Sequence, residues 1–127
     1  MQKPSRYLLP VCYMMALFCV SSIPGDVMEA APVFRWVTPN WQNLLHAPVY
    51  GGLALSWLWA LETRFTTVRN RVVAAFILTM MYAFVDEGWQ LHIPARYGSL
   101  TDLALNALGA VLALWVVARR LVRFSQN

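Results

Sequence analysis

Apolar residues fall into four runs along this chain, each bounded by a short polar stretch. The first run covers 7–23 and carries no charge, with Lys3 and Arg6 just before it. The second covers 44–61, where His46, Tyr50, Ser56 and the tryptophans are the polar exceptions. The third covers 72–93, is uncharged until Asp86, and is closed by Pro94, which disfavours helix in the residue before it. The fourth covers 102–118 and ends against Arg119, Arg120 and Arg123. Each run is close to the ~20 apolar residues that carry a helix across a bilayer. The pattern predicts an all-α protein: an integral membrane four-helix bundle with short loops, one domain over 1–127. Pro10 and Pro48 sit in the first turns of their runs, where a helix tolerates proline. Between the first two runs, Pro24, Gly25, Pro32 and Pro39 break the chain too often for a span, and Trp36 and Trp41 suit a headgroup-level surface.

Composition sharpens the membrane reading. The 127 residues are 59% hydrophobic and 13% charged, against about 25% charged in soluble domains. The net charge of +4 could suggest nucleic acid, but all the basic residues except Arg35 and Arg96 gather in three clusters beside apolar runs. That leaves no basic face for a duplex. By the positive-inside rule, the amino terminus, the 62–71 loop and the carboxyl terminus belong in the cytoplasm of a multi-pass bacterial inner-membrane protein. The rival reading of the first run is a secretory signal peptide, with Val20-Ser21-Ser22 as a weak cleavage site. Cys12 and Cys19 share a helix face but stand roughly 10 Å apart along the axis, too far for an internal disulfide.

This topology gathers the remaining polar residues in one leaflet. His46 and Tyr50 lie at the outer end of the second span, and Asp86, Glu87, Gln90 and His92 at that of the third. Arg96 and Ser99 occupy the outer turn, and Asp102 and Asn106 open the fourth span. Spacing by four puts His46 with Tyr50, Tyr82 with Asp86 and Gln90, and Asp102 with Asn106 on common faces. Gly109, Ala110 and Ala113 continue the Asn106 side and permit close helix contact. Ionisable groups at membrane depth are costly and usually face an interior or a wet cavity.

Blander roles exist for each. Ser99 and Asp102 spell a capping box, Arg96 could pair with Asp86 or Glu87 as a structural ion pair, and the tyrosines could be packing residues whose hydroxyls find a partner. Yet one arginine cannot balance Asp86, Glu87 and Asp102. A proton, a divalent cation or a cationic ligand is therefore expected to be shared there. The metal candidates are His46, Asp86 and Glu87. In a catalytic reading Asp86 or Glu87 is the general base and His46 the acid or a metal ligand, although no nucleophile motif is present.

With these residues in view, the chain resembles the VanZ-like membrane proteins. The carrying residues are Asp86-Glu87-x-x-Gln90, Pro94-Ala95-Arg96, Ser99, Asp102, Asn106 and Gly109, preceded by His46 and Tyr50. They match the pattern D-E-x-x-Q, P-G-R, S-x-x-D, N-x-x-G after H-x-x-x-Y, from about Asn43 to the carboxyl terminus. The first span carries none of these signatures. The resemblance implies a small bundle of about four spans and an association with low-level resistance to teicoplanin, a lipid-tailed glycopeptide. Two positions depart from the pattern. The family's D-K ahead of the histidine is Gln42-Asn43, and the glycine of P-G-R is Ala95, so nothing in the sequence requires a left-handed backbone at that turn.

The leading functional expectation is recognition of an envelope lipid or lipid-linked cell-wall glycan from the outer leaflet. His46, Tyr50, Asp86, Glu87, Gln90, Arg96, Ser99, Asp102 and Asn106 would line the pocket, with Arg96 holding a phosphate or carboxylate. The alternatives are a membrane-embedded hydrolase or transferase acting on such a lipid, and a structural membrane partner working through a homo-oligomer or another envelope protein. A transporter fits less well, because transport sites cluster near the midplane.

Overall fold

The computed structural model describes residues 4–32 and 43–124, and these form helices joined by short turns, with no strand among them. Trp36, Trp41 and Arg35 lie outside the described residues. A 3-10 turn, Pro4–Tyr7, leads into helix α1, Leu8–Ser21. The proline-broken linker contains a short helix, α2, Gly25–Ala30. Helix α3 is His46–Ala60, followed by a 3-10 turn, Leu61–Thr63. Helices α4, Val68–Gln90, and α5, Leu100–Phe124, complete the chain.

Polar caps, rather than the ends of the apolar runs, set the helix limits. Helix α4 begins four residues before its apolar run because Thr67 Oγ1 accepts the amide of Asn70 at 3.3 Å. It stops at Gln90, short of Pro94. Helix α5 starts at Leu100, ahead of Asp102, because Ser99 Oγ accepts the amide of Thr101 at 3.1 Å. It then runs past the arginine cluster to Phe124.

Contacts between side chains establish how the helices run. Tyr13 of α1 donates to the Val49 carbonyl of α3 (2.9 Å), and Tyr82 of α4 donates to the Met14 carbonyl of α1 (2.8 Å). Arg6 pairs with Glu62, joining the start of α1 to the end of α3, while Trp89 near the end of α4 reaches Ser22 just after α1. Successive long helices therefore alternate in direction. The starts of α1 and α4 and the ends of α3 and α5 share one end of the molecule. There Arg6 stacks over Trp59 and Arg119 over Trp115, at 5.1 and 3.8 Å from the ring centroids.

Helices α3 and α5 run parallel at very short range. A Cβ built on Gly109 would fall 1.9 Å from the Ala47 carbonyl oxygen, and one on Gly51 would fall 3.1 Å from the Gly109 carbonyl oxygen. Only glycine allows such an approach at position 109. The interior beside this seam is built from small and medium side chains: Ala54, Leu58, Ala75, Ala110 and Leu114. The outside is the apolar surface, with Phe84 62% and Val85 65% exposed, whereas Asp86 and Glu87, next in sequence, are 3% and 4% exposed. Acids inside and large apolar residues outside is the distribution expected of a chain solvated by lipid.

Helices α4 and α5 are long and apolar enough to cross a membrane. Helix α3, at 15 residues, and the apolar stretch Ser5–Ser21 are shorter. At 1.5 Å per residue α3 spans about 22 Å, less than a ~30 Å hydrocarbon core.

The α3–α5 seam makes a direct prediction. Gly109→Val should destabilise the protein by about 2 kcal/mol or more through backbone overpacking. Gly88→Ala, whose new Cβ would meet nothing within 4 Å, should be stabilising by up to ~1 kcal/mol. Thermal unfolding of both variants in detergent checks the pair.

Candidate functional site

The site forms where the end of α4 meets the starts of α3 and α5. Helical spacing aims Asp86 and Gln90 from α4 toward Tyr50 on α3. Tyr50 Oη donates to Asp86 Oδ2 at 2.9 Å, and Gln90 Nε2 donates to the same oxygen at 3.2 Å. One turn before Tyr50, His46 stacks against its ring at 6.3 Å between centroids. His46 Nδ1 hydrogen-bonds Asn106 Oδ1 at 3.0 Å, which ties α3 to α5. Tyr50, Asp86, Glu87, Gln90, Asp102 and Asn106 are all buried, and His46, Arg96 and Ser99 partly so.

The predicted capping box is not formed as its spelling implies. Ser99 does bond its amide to a carboxylate, but the acceptor is Glu87 Oε2 on α4, at 3.1 Å, and not Asp102. Glu87 thus caps α5 from a neighbouring helix, a contact that favours the negative end of a carboxylate at a helix amino terminus. Asp102, three residues after Ser99, is left without this partner.

Arg96 does not form the structural ion pair, the blander of its two sequence readings. It makes no ion pair with Asp86, Glu87 or Asp102. Among the described residues the ion pairs are those of Glu62 with Arg6 and Arg71. Arg96 Nε donates to the Ile23 carbonyl (3.1 Å), and Nη2 donates to the Val20 carbonyl (3.0 Å) and meets Met28 Sδ at 3.2 Å. The two carbonyls lie at and just after the end of α1, where a cation suits the helix carboxyl terminus. Sequence spacing held no sign of this, because the acceptors are backbone atoms more than seventy positions away.

The turn before Arg96 completes the latch. Ala95 has φ 55°, in the left-handed region, despite replacing the family's glycine. That conformation costs an L-residue roughly 1–2 kcal/mol. It is held by Gly25, whose amide donates to the Pro94 carbonyl at 3.0 Å and whose missing side chain admits the Ala95 carbonyl, 1.9 Å from where a Cβ would lie. Linker and turn are thus locked together.

A cavity of about 500 Å³ opens between these parts. His46, Tyr50, Asp86, Gln90, Arg96, Ser99 and Asp102 line it together with apolar Leu17, Val20 and Val49. Glu87 and Asn106 are not among its lining residues. Met28 and Glu29, which carried no motif signal, are, as is Asn43, which stands where the family has the lysine of D-K. His92 stands apart, exposed, with Nδ1 3.1 Å from the Gly88 carbonyl of its own helix. Four buried polar atoms at the site have no partner: Asp86 Oδ1, Glu87 Oε1, Asp102 Oδ1 and Asn106 Nδ2.

Among the described residues no three His, Cys, Asp or Glu side chains come close enough to enclose a metal ion, so the His46, Asp86 and Glu87 set does not assemble as a ligand group. Glu87 gives Oε2 to the α5 cap and does not line the cavity, so of the three catalytic candidates Asp86 and His46 face it. Cys12 and Cys19 are free and exposed.

These features define an all-helical protein with an apolar exterior and an acid-rich cavity at one end. The chain belongs to the VanZ/LLP1 family, whose model matches residues 7–123. The match takes in α1 as well as the motif-bearing part from about Asn43 onward, so the first helix is part of the family domain. No curated protein and no solved structure matches the chain.

Removing the Glu87 cap should be felt at α5. Glu87→Ala should cost about 1–2 kcal/mol and Glu87→Gln less, because the amide oxygen still accepts from Ser99. Hydrogen exchange at the Ser99–Leu103 amides should accelerate strongly in the first variant and weakly in the second.

Proposed function

We propose that the protein recognises the polar head of an envelope lipid or lipid-linked cell-wall glycan. It would do so as a four-helix bundle in the bacterial inner membrane, with both termini cytoplasmic and the cavity opening to the outer leaflet. The observation that carries this reading is the lining of the cavity. Asp86, Asp102 and Arg96 share it with Leu17, Val20 and Val49, a surface suited to a molecule that is charged at one end and apolar at the other.

The surrounding architecture supports the same reading. The basic clusters 64–71 and 119–123 lie at the end of the molecule opposite the cavity, as a cytoplasmic face would require. The short α3 fits a bundle whose outer half is opened by a polar vestibule rather than filled with hydrocarbon. Holding a lipid-anchored precursor there would link the site to the glycopeptide resistance with which VanZ-like proteins are associated.

Two measurements test this. A reporter fused after the carboxyl terminus should be active only in the cytoplasm. Protein extracted in mild detergent should retain an envelope amphiphile detectable by native mass spectrometry, and Val49→Trp, which fills part of the cavity, should lower its occupancy at least about tenfold, equivalent to ~1.4 kcal/mol. Wild-type protein that carries no amphiphile, or a periplasmic carboxyl terminus, would contradict the proposal.

A further inference from the structure

Resting on that reading, we infer that the ligand presents a primary ammonium group to Asp86 and Asp102 and an anionic group to Arg96, as an aminoethyl phosphate lipid head does. The first observation is an uncompensated acid wall. Asp86 and Asp102 line the cavity while 3% and 8% exposed, each has an oxygen with no hydrogen-bond partner, and neither is in an ion pair among the described residues. Glu87, directly behind in sequence, adds a third carboxylate with an unpartnered oxygen. The groups that do touch Asp86, Tyr50 Oη and Gln90 Nε2, are neutral donors sharing a single oxygen. Each of these carboxylates lacks a donor for one oxygen, and a donating cation supplies it.

The second observation is independent of the acids. Arg96 lines the same cavity, yet its bonds go to neutral carbonyls and a thioether through Nε and Nη2. Its positive charge is therefore unpaired among the described residues, and Nη1 keeps two donors. One cavity thus holds unpaired groups of both signs on different elements, Asp86, Asp102 and Glu29 against Arg96, which suits a ligand that carries both a cationic and an anionic group.

The nature of the cation follows from the donor inventory. A primary ammonium has three N–H donors for unmatched carboxylate oxygens. A quaternary ammonium has none and is usually held by aromatic faces. Among the described residues no three His, Cys, Asp or Glu side chains gather around a divalent ion, and an ammonium needs no such group.

The experiment uses the full chain in nanodiscs of phosphatidylcholine doped with equal amounts of phosphatidylethanolamine and phosphatidylglycerol, with retained lipid counted by native mass spectrometry after extraction. Phosphatidylethanolamine should be enriched about tenfold over both others, as one charge-assisted hydrogen bond can supply. Asp102→Asn should cut that enrichment to about threefold or less, with helicity by circular dichroism confirming its fold. If the variant does not fold, the wild-type selectivity decides alone. Equal retention of the ethanolamine and choline lipids, or preference for the glycerol lipid, would overturn the ammonium inference and leave head-group recognition standing. Retention of no lipid would overturn both. Displacement by soluble phosphoethanolamine at the same concentration as the lipid would keep the ammonium chemistry and overturn its assignment to a membrane lipid.

Discussion

Three carboxylates sit inside a molecule whose outside is apolar, and much of the structure follows from accommodating them. Each acid is handled differently. Asp86 is held by a tyrosine and a glutamine on one oxygen, Glu87 is used as a cap for the adjacent helix, and Asp102 has no hydrogen-bond partner on its buried oxygen. Neutral donors and one backbone amide stabilise the charges in part, and no basic side chain completes the balance. An interior arranged only for stability would fill these positions with apolar side chains or pair the acids, since an unpaired buried charge is the costly case. The arginine that could have done so is instead turned toward the carbonyls at the end of α1.

That division of labour explains the rest of the architecture. Because Arg96 and Gly25 bind the turn after α4 to the end of α1, the cavity has a wall of backbone and linker facing its wall of acids. Because Gly109 lets α5 lie against Ala47, His46 and Asn106 come within hydrogen-bond range and hold the open end of α3 in place. A larger residue at the seam would press on the Ala47 carbonyl and push α3 from α5 without touching any side chain of the site. The position that most controls the site is thus a glycine with no chemistry of its own.

Much of this was legible in the sequence. Helical identity followed from the apolar runs, and the convergence of His46, Tyr50, Asp86, Gln90, Asp102 and Asn106 followed from alternating helix direction and spacing by four. Both rest on local periodicity and hydropathy, which the chain carries residue by residue. The helix limits were less legible, because Thr67 and Ser99 lie outside the apolar runs that they cap.

What only the tertiary structure decided was which polar atoms meet. Asp102 looked like the partner of Ser99, but Glu87 reaches it from another helix. A counter-ion role was open to Arg96, but it bonds to backbone carbonyls at and just after the end of α1 instead. Ala95 looked free of left-handed strain, but Gly25 holds it at φ 55°. In each case the competing partner is distant in sequence or is main chain, and neither kind leaves a mark in a pattern of side chains. Periodicity can bring residues to one end of a bundle; the assignment of each hydrogen bond there depends on distances of a few tenths of an ångström, which only the packed helices define.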